Sequence, residues 1–140
     1  MEKEEFKIAV KSFIVNDGKL LIIKRADDDS FMPGIWEIPG GKLELNEDLI
    51  LGLKRETKEE TGLDIEVDRE ISVRDFTIND ELKIELHPFL CNAIDIDNIK
   101  LSEEHSEYLW IDLKDSKKKL TEFFHPEIDI LLNLENKKWP

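Results

Sequence analysis

Residues 46–62, NEDLILGLKRETKEETG, constrain the fold of this chain more than any other stretch. Leu49, Ile50, Leu53 and Thr57 recur at the spacing of one helical face, at about 100° per residue. Asn46 suits the N-cap, Glu47 and Asp48 suit the positive end of the helix dipole, and Gly62 suits the left-handed residue just past the end. The same helix places Glu56, Glu59 and Glu60 within a sector about 100° wide, bordering the apolar stripe, with Lys54 and Lys58 on the opposite side. Carboxylates at these spacings repel one another. A solvated acidic face is the ordinary explanation of a glutamate-rich helix. Here the acids adjoin the apolar face, which predicts that they sit at the edge of the core. Gly52, one turn before Glu56, costs a helix interior ~1 kcal/mol relative to alanine. It is expected to admit another backbone, and the Pro39-Gly40-Gly41 turn is the candidate to supply that backbone and its carbonyl oxygens.

The remaining pattern predicts strands at residues 6–15 and 19–25, joined by the turn Asn16-Asp17-Gly18. A short extended piece at 35–38 ends in Pro39-Gly40-Gly41. Long strands are predicted at 64–78 and 81–93, another at 107–113, and a final helix at 121–135 with Ile128, Leu131, Leu132 and Phe124 inward. Strands, a central helix, more strands and a last helix make an α+β domain. No repeat, low-complexity stretch or linker divides the chain, so residues 1–140 are expected to form a single domain. Cys91 is the only cysteine, which excludes an internal disulfide and a cysteine-based zinc cage. No apolar run reaches the ~18 residues of a membrane span, and the charged start MEKEEFK is unlike a secretion signal. A cytoplasmic protein with no membrane association is expected.

Lys plus Arg number 20 and Asp plus Glu 33, a net charge of −13. Such a surface repels nucleic-acid backbones, so no nucleic-acid partner is expected. A phosphorylated small molecule remains compatible if divalent cations stand between it and the protein. Carboxylates with a backbone carbonyl are hard oxygen ligands, suited to Mg²⁺ or Mn²⁺ rather than zinc. Magnesium keeps waters and shares itself with phosphates, so the acidic sector calls for a pyrophosphate-bearing ligand.

Residues 41–63, GKLELNEDLILGLKRETKEETGL, resemble the Nudix box, G-x5-E-x7-R-E-U-x-E-E-x-G-U with U a bulky aliphatic residue. Gly41, Glu47, Arg55, Glu56, Glu59, Glu60, Gly62 and Leu63 fall in register. Thr57 departs from the pattern; it is β-branched and nearly isosteric with valine, so a slightly weaker core contact is expected. The hairpin before the box, the WEIPGGKLE entry and the EHSEYLW segment after it are similar to MutT-type members. The resemblance implies the Nudix fold, a mixed β-sheet sandwiched between α-helices (an α/β/α sandwich). It also implies hydrolysis, dependent on Mg²⁺ with Mn²⁺ able to substitute, of a nucleoside diphosphate linked to another group.

The resemblance assigns roles residue by residue. Glu59 and Glu60 are metal ligands; Glu56 is a ligand or the group that takes the water's proton; the Gly40 carbonyl is a further ligand. Arg55 and Glu47 form an ion pair that orients the site, and Gly41 and Gly62 shape it. Glu104 matches the place of an extra metal-binding carboxylate, often a general base, or is an ordinary loop residue. Arg25 resembles a phosphate-contacting position, or is a strand-end charge. Aromatic rings can stack on a base; core packing is the ordinary role of any one of them, and Trp36 and Phe31, which flank the loop into the box, are the better candidates for base contact, with Glu37 beside them as a substrate-binding residue. His87, His105 and His125 share no metal-binding spacing and are expected to be structural or exposed, and Cys91 a small core residue. The marks of ADP-ribose and dinucleoside polyphosphate hydrolases are missing near Ile78 and Asn79. That leaves a (deoxy)nucleoside triphosphate, an oxidised purine one included, split to monophosphate and pyrophosphate. A nucleotide sugar, or a silent nucleotide-binding domain, are the alternatives. Many relatives are dimers, so a homodimer is compatible.

Overall fold

Strand β1 (Glu5–Asn16) organises the molecule, because apolar residues on both of its faces let it be covered from both sides. The computed structural model describes residues 5–28 and 32–136. After β1 come β2 (Lys19–Arg25), β3 (Trp36–Glu37), β4 (Gly40–Lys42), α1 (Leu49–Thr61), β5 (Ile65–Glu70), β6 (Arg74–Ile78), β7 (Leu82–Ala93), β8 (His105–Asp112) and α2 (His125–Asn136). Two 3-10 segments, Leu113–Lys118 and Glu122–Phe124, lead into α2.

β1 runs parallel to β7 from Glu5↔Leu82 to Ile14↔Cys91, and antiparallel to β4 at Ala9↔Lys42 through Lys11↔Gly40. Its last residues turn through Asp17 and Gly18, both at positive φ, and pair with β2. β2 in turn pairs with β3 and β8. The sheet is therefore mixed. Val10, Ile14 and Leu21 meet Leu53 of α1 on one face; Ala9, Phe13 and Leu20 meet Ile128 and Leu131 of α2 on the other. This is the expected helix-sheet-helix sandwich. Among the described residues no helix is long and apolar enough to cross a membrane.

Three local expectations change. The predicted strand 64–78 is two strands, β5 and β6, which pair with successive halves of β7. Pro88 of β7 has no N–H to offer a neighbour, and the partner strand breaks opposite it, leaving only Ile71 N donating to the Pro88 carbonyl at 2.8 Å. Gly40-Gly41 belongs to a strand as well as a turn. A Cβ on Gly40, at φ 139°, would lie 2.1 Å from the Val10 carbonyl oxygen, so only glycine lets β4 pair this closely with β1. Helix α1 is capped by Asp48 rather than Asn46: the Asp48 carboxylate accepts from Ile50 N and Leu51 N, while Asn46 sits at φ 63°. The other end is as expected, with Gly62 in the left-handed conformation.

Candidate active site

Helix α1 lies against β1 and β4, and its register decides which glutamates meet them. Glu56 and Glu60, one turn apart, are half-buried over adjacent residues of β4. A Cβ on Gly41 would stand 2.5 Å from Glu56 Oε2, and Gly40 N donates to Glu60 Oε1 at 2.8 Å. Gly41 therefore provides the close approach expected of Gly52. Gly52 instead faces side chains, with Leu43 Cδ2 2.2 Å and Glu47 Oε1 3.0 Å from where its Cβ would be.

Thr57 is fully buried, and its Oγ1 is 2.8 Å from Ser12 Oγ. Ser12 also bonds the Pro39 carbonyl through both N and Oγ. The threonine that departs from the aliphatic pattern thus ties α1 to β1 and to the turn entering β4. The weakened contact expected there is a buried hydrogen bond.

Arg55 gathers the acids on the outer side. Its Nε and Nη2 donate to both oxygens of Glu47, at 2.7 and 2.9 Å, which is the expected pair. Its Nη1 lies 3.2 Å from both Glu59 oxygens and 3.1 Å from Glu56 Oε1. The Arg55 hydrogen bonds, with one from Glu44 N, bring the Glu47 carboxyl down to about 2. Because Arg55 draws Glu56 and Glu59 while Glu60 turns to Gly40 N, no three His, Cys, Asp or Glu side chains among the described residues converge into a ready metal cage.

Burial raises the proton affinity of Glu56, with Arg55 opposing and Glu59 adding to the rise. Burial carries Glu60 further, to about 7, against the pull of Lys11 and of the Gly40 N–H. The half-buried carboxylates of Glu56 and Glu60 lie over Gly41 and Gly40 of β4, and with the Gly40 carbonyl they make a donor set of oxygens only. That chemistry fits Mg²⁺ or Mn²⁺.

A second cluster adjoins Glu60. Glu37 Oε2 accepts from Arg25 Nη1 at 2.9 Å and pairs with His105 Nε2 at 2.7 Å, and Lys11 Nζ stands 3.9 Å from Glu37 Oε1. Burial alone would raise the Glu37 carboxyl; the His105 hydrogen bond, Lys11 and Arg25 outweigh it and bring it to about 2. Arg25 and Glu37 are thus brought together at the edge of the acidic centre. Trp36 is half-buried, with Lys119 Nζ 5.6 Å from its ring centroid. Phe31 lies outside the described residues. Glu104 is exposed; its carbonyl accepts from Ala26 N, and nearby Ser102 N donates to the Glu60 carbonyl at 3.2 Å. The loop of Glu104 therefore crosses the end of α1, with the carboxylate in solvent. His87 lies between Glu70 and Glu85, and His125 bonds the Leu120 carbonyl. Cys91 is buried, and burial pushes its thiol up to about 12.

Sequence reasoning passed over Lys11, Ser12 and the pairing of His105 with Glu37. The available signal was in β1, IAVKSFIV, where a lysine and a serine interrupt an apolar run.

The fold and the acidic helix together are those of a Nudix hydrolase. Residues 5–132 match the NUDIX domain, and the chain belongs to that family. It is a Nudix pyrophosphohydrolase, an enzyme acting on phosphorus acid anhydrides. It is 34% identical to nucleoside triphosphatase NudI of Escherichia coli (strain K12) over 115 residues, covering 73% of this chain and 79% of that one. It is 48% identical over 62 residues to a MutT-like protein of Streptomyces ambofaciens, a match spanning 44% of this chain and 37% of that relative's length. The crystal structure of MutT protein from Methanosarcina mazei Go1 superposes with a TM-score of 0.81 at 30% identity, covering 99% of this chain and all of that one.

Proposed function

We propose that this chain hydrolyses (deoxy)nucleoside triphosphates to nucleoside monophosphate and pyrophosphate, with Mg²⁺ or Mn²⁺ held by Glu59, Glu60 and the Gly40 carbonyl. The observation that carries this reading is the seating of the half-buried Glu56 and Glu60 carboxylates on the backbone of Gly41 and Gly40. Likeness to a nucleoside triphosphatase supports the choice of triphosphate. The bound cation supplies activation of water and neutralisation of phosphate charge.

The protein's own groups do the rest. Arg55 restrains Glu56 and Glu59, so that the acids stay near one another despite their repulsion. A water oxygen forms the new P–O bond, the bridging P–O bond breaks, and pyrophosphate leaves. Glu56 takes the water's proton. Burial raises its proton affinity, and unlike Glu60 it is not engaged with a backbone N–H. Arg25, aimed by Glu37 and His105, takes a phosphate oxygen. We take residues 1–140 as one catalytic unit acting on small molecules, since a net charge of −13 disfavours polynucleotides.

Nucleoside triphosphates, nucleotide sugars and dinucleoside polyphosphates incubated with Mg²⁺ test the reading, with products resolved by chromatography. Triphosphates should yield monophosphate and pyrophosphate. Turnover confined to nucleotide sugars would remove the substrate assignment, and binding without turnover of any compound would favour a silent domain. Glu56→Gln and Glu59→Gln should each lower turnover by ~10²-fold or more with circular dichroism unchanged. Near-normal rates in both would remove the mechanism.

A further inference from the structure

Lys11 is a charged residue set between two core residues on one face of β1. Ala9 and Phe13, its neighbours on the same face, belong to the cluster beneath α2. The Lys11 side chain is only 14% exposed. Its ammonium turns inward: Nζ donates to the Ile38 carbonyl at 3.0 Å and the Gly40 carbonyl at 3.3 Å, and lies 5.6 Å from the Phe124 ring centroid. An aliphatic residue would fill this position without the cost of desolvating an ammonium. A lysine here therefore needs a reason.

Two observations supply one. The ammonium carries three N–H donors. Two are on carbonyls, and the third has no acceptor within hydrogen-bond distance among the described residues, Glu37 Oε1 being 3.9 Å away. Moreover, Lys11 acts electrostatically on Glu56, Glu60 and Glu37, and it holds the same Gly40 carbonyl proposed to face the metal. A fixed monocation there screens the acids and opposes an incoming divalent ion. A pyrophosphate reverses the balance, because its negative charge attracts both cations.

We propose that Lys11 couples the two loading events through its ammonium. Without substrate its ammonium steadies the Gly40 carbonyl and keeps divalent ions weakly bound. When a pyrophosphate arrives, the third N–H turns to the anion and the divalent ion binds tightly. This rests on the metal site proposed above.

Binding of Mn²⁺ to the whole chain, read from the electron paramagnetic resonance of free Mn²⁺, tests this without turnover. Methylenediphosphonate serves as the uncleaved pyrophosphate. For the wild type, Mn²⁺ affinity should rise on the order of tenfold or more when methylenediphosphonate is added. Lys11→Met should bind Mn²⁺ alone on the order of tenfold more tightly than the wild type, and should lose most of the enhancement. In turnover its KM should rise more than its kcat falls, and Lys11→Arg should restore both patterns. Lys11→Gln gives the same comparison if the methionine variant fails to fold by circular dichroism. Mn²⁺ affinity unchanged or weakened in the neutral variants, with the enhancement intact, would reduce Lys11 to a prop for the turn. A wild type that binds no Mn²⁺ under either condition would instead overturn the metal site itself, and this proposal with it.

Discussion

Gly41 shows how much one missing methyl group decides. The Cβ of Gly41→Ala would stand 2.5 Å from Glu56 Oε2 and 2.8 Å from Glu56 Cδ. The obstructed atoms are the far end of a side chain, so the fold can absorb the change. The catalytic geometry proposed for Glu56 cannot, because displacement of a reacting group by about 1 Å can cost ~10²-fold. Gly41→Ala is therefore expected to lower kcat by about tenfold or more while shifting the urea midpoint little. Loss of folding instead would show that the contact matters chiefly for packing.

His87 gives a residue-scale dependence on pH away from the acidic helix. Burial disfavours its charged form, but hydrogen bonds to Glu70 and Glu85, at 2.7 and 2.6 Å, outweigh this and raise its pKa. A histidine with a raised folded pKa contributes stability that is complete below the unfolded value of about 6.5. That stability is lost as pH rises through the folded value. Glu60 acts in the same direction, since its burial opposes ionisation up to about 7. Urea midpoints at fixed ionic strength should fall from pH 6 to 8.5, and Glu70→Gln should lessen the fall. An identical profile in the variant would remove His87 as its source.

Among elements, the docking of α2 onto β6 turns on one ion pair. Glu127 is fully buried, and Arg74 meets it through Nε at 2.8 Å and Nη2 at 3.1 Å. Arg74 also donates to the Phe123 carbonyl and lies over the Phe123 ring, 4.5 Å from its centroid. Removing one partner of a buried pair leaves a charge without compensation, at a cost of about 3 kcal/mol. Arg74→Met should destabilise the protein by about that amount in urea denaturation, and adding Glu127→Leu should recover much of it. If the single variant unfolds like the wild type, the pair does not hold the helix. The same element exposes what patterning misses. The residues of β5 and β6 read as one strand, and only Pro88, more than ten positions further on, separates them. The start of α1 moved from Asn46 to Asp48 for a local reason, since both residues are good caps and backbone conformation chose between them.

At the scale of the whole molecule, a net charge of −13 works against compaction, and α1 crowds the carboxylates of Glu56, Glu59 and Glu60 into one sector. A divalent ion bound to the folded state alone should relieve it and stabilise by mass action. Mg²⁺ or Mn²⁺ should raise the thermal midpoint beyond a KCl control of equal ionic strength, and activity should vanish with chelator. Equal midpoints in both salts would indicate general screening only.

The family, the mixed sheet between helices and the angular placement of Glu56, Glu59 and Glu60 were readable from residue order. A helix turns by a constant angle per residue, so spacing along the chain becomes direction in space. Residue order did not say which group each acid would meet. Arg55 claims Glu59, Gly40 N claims Glu60, Gly41 makes room for Glu56, and Lys11 reaches the Gly40 carbonyl from a strand nearly thirty positions earlier. Those contacts arise when β1 and β4 pair and α1 settles on them, and no local periodicity encodes which distant segments will come together.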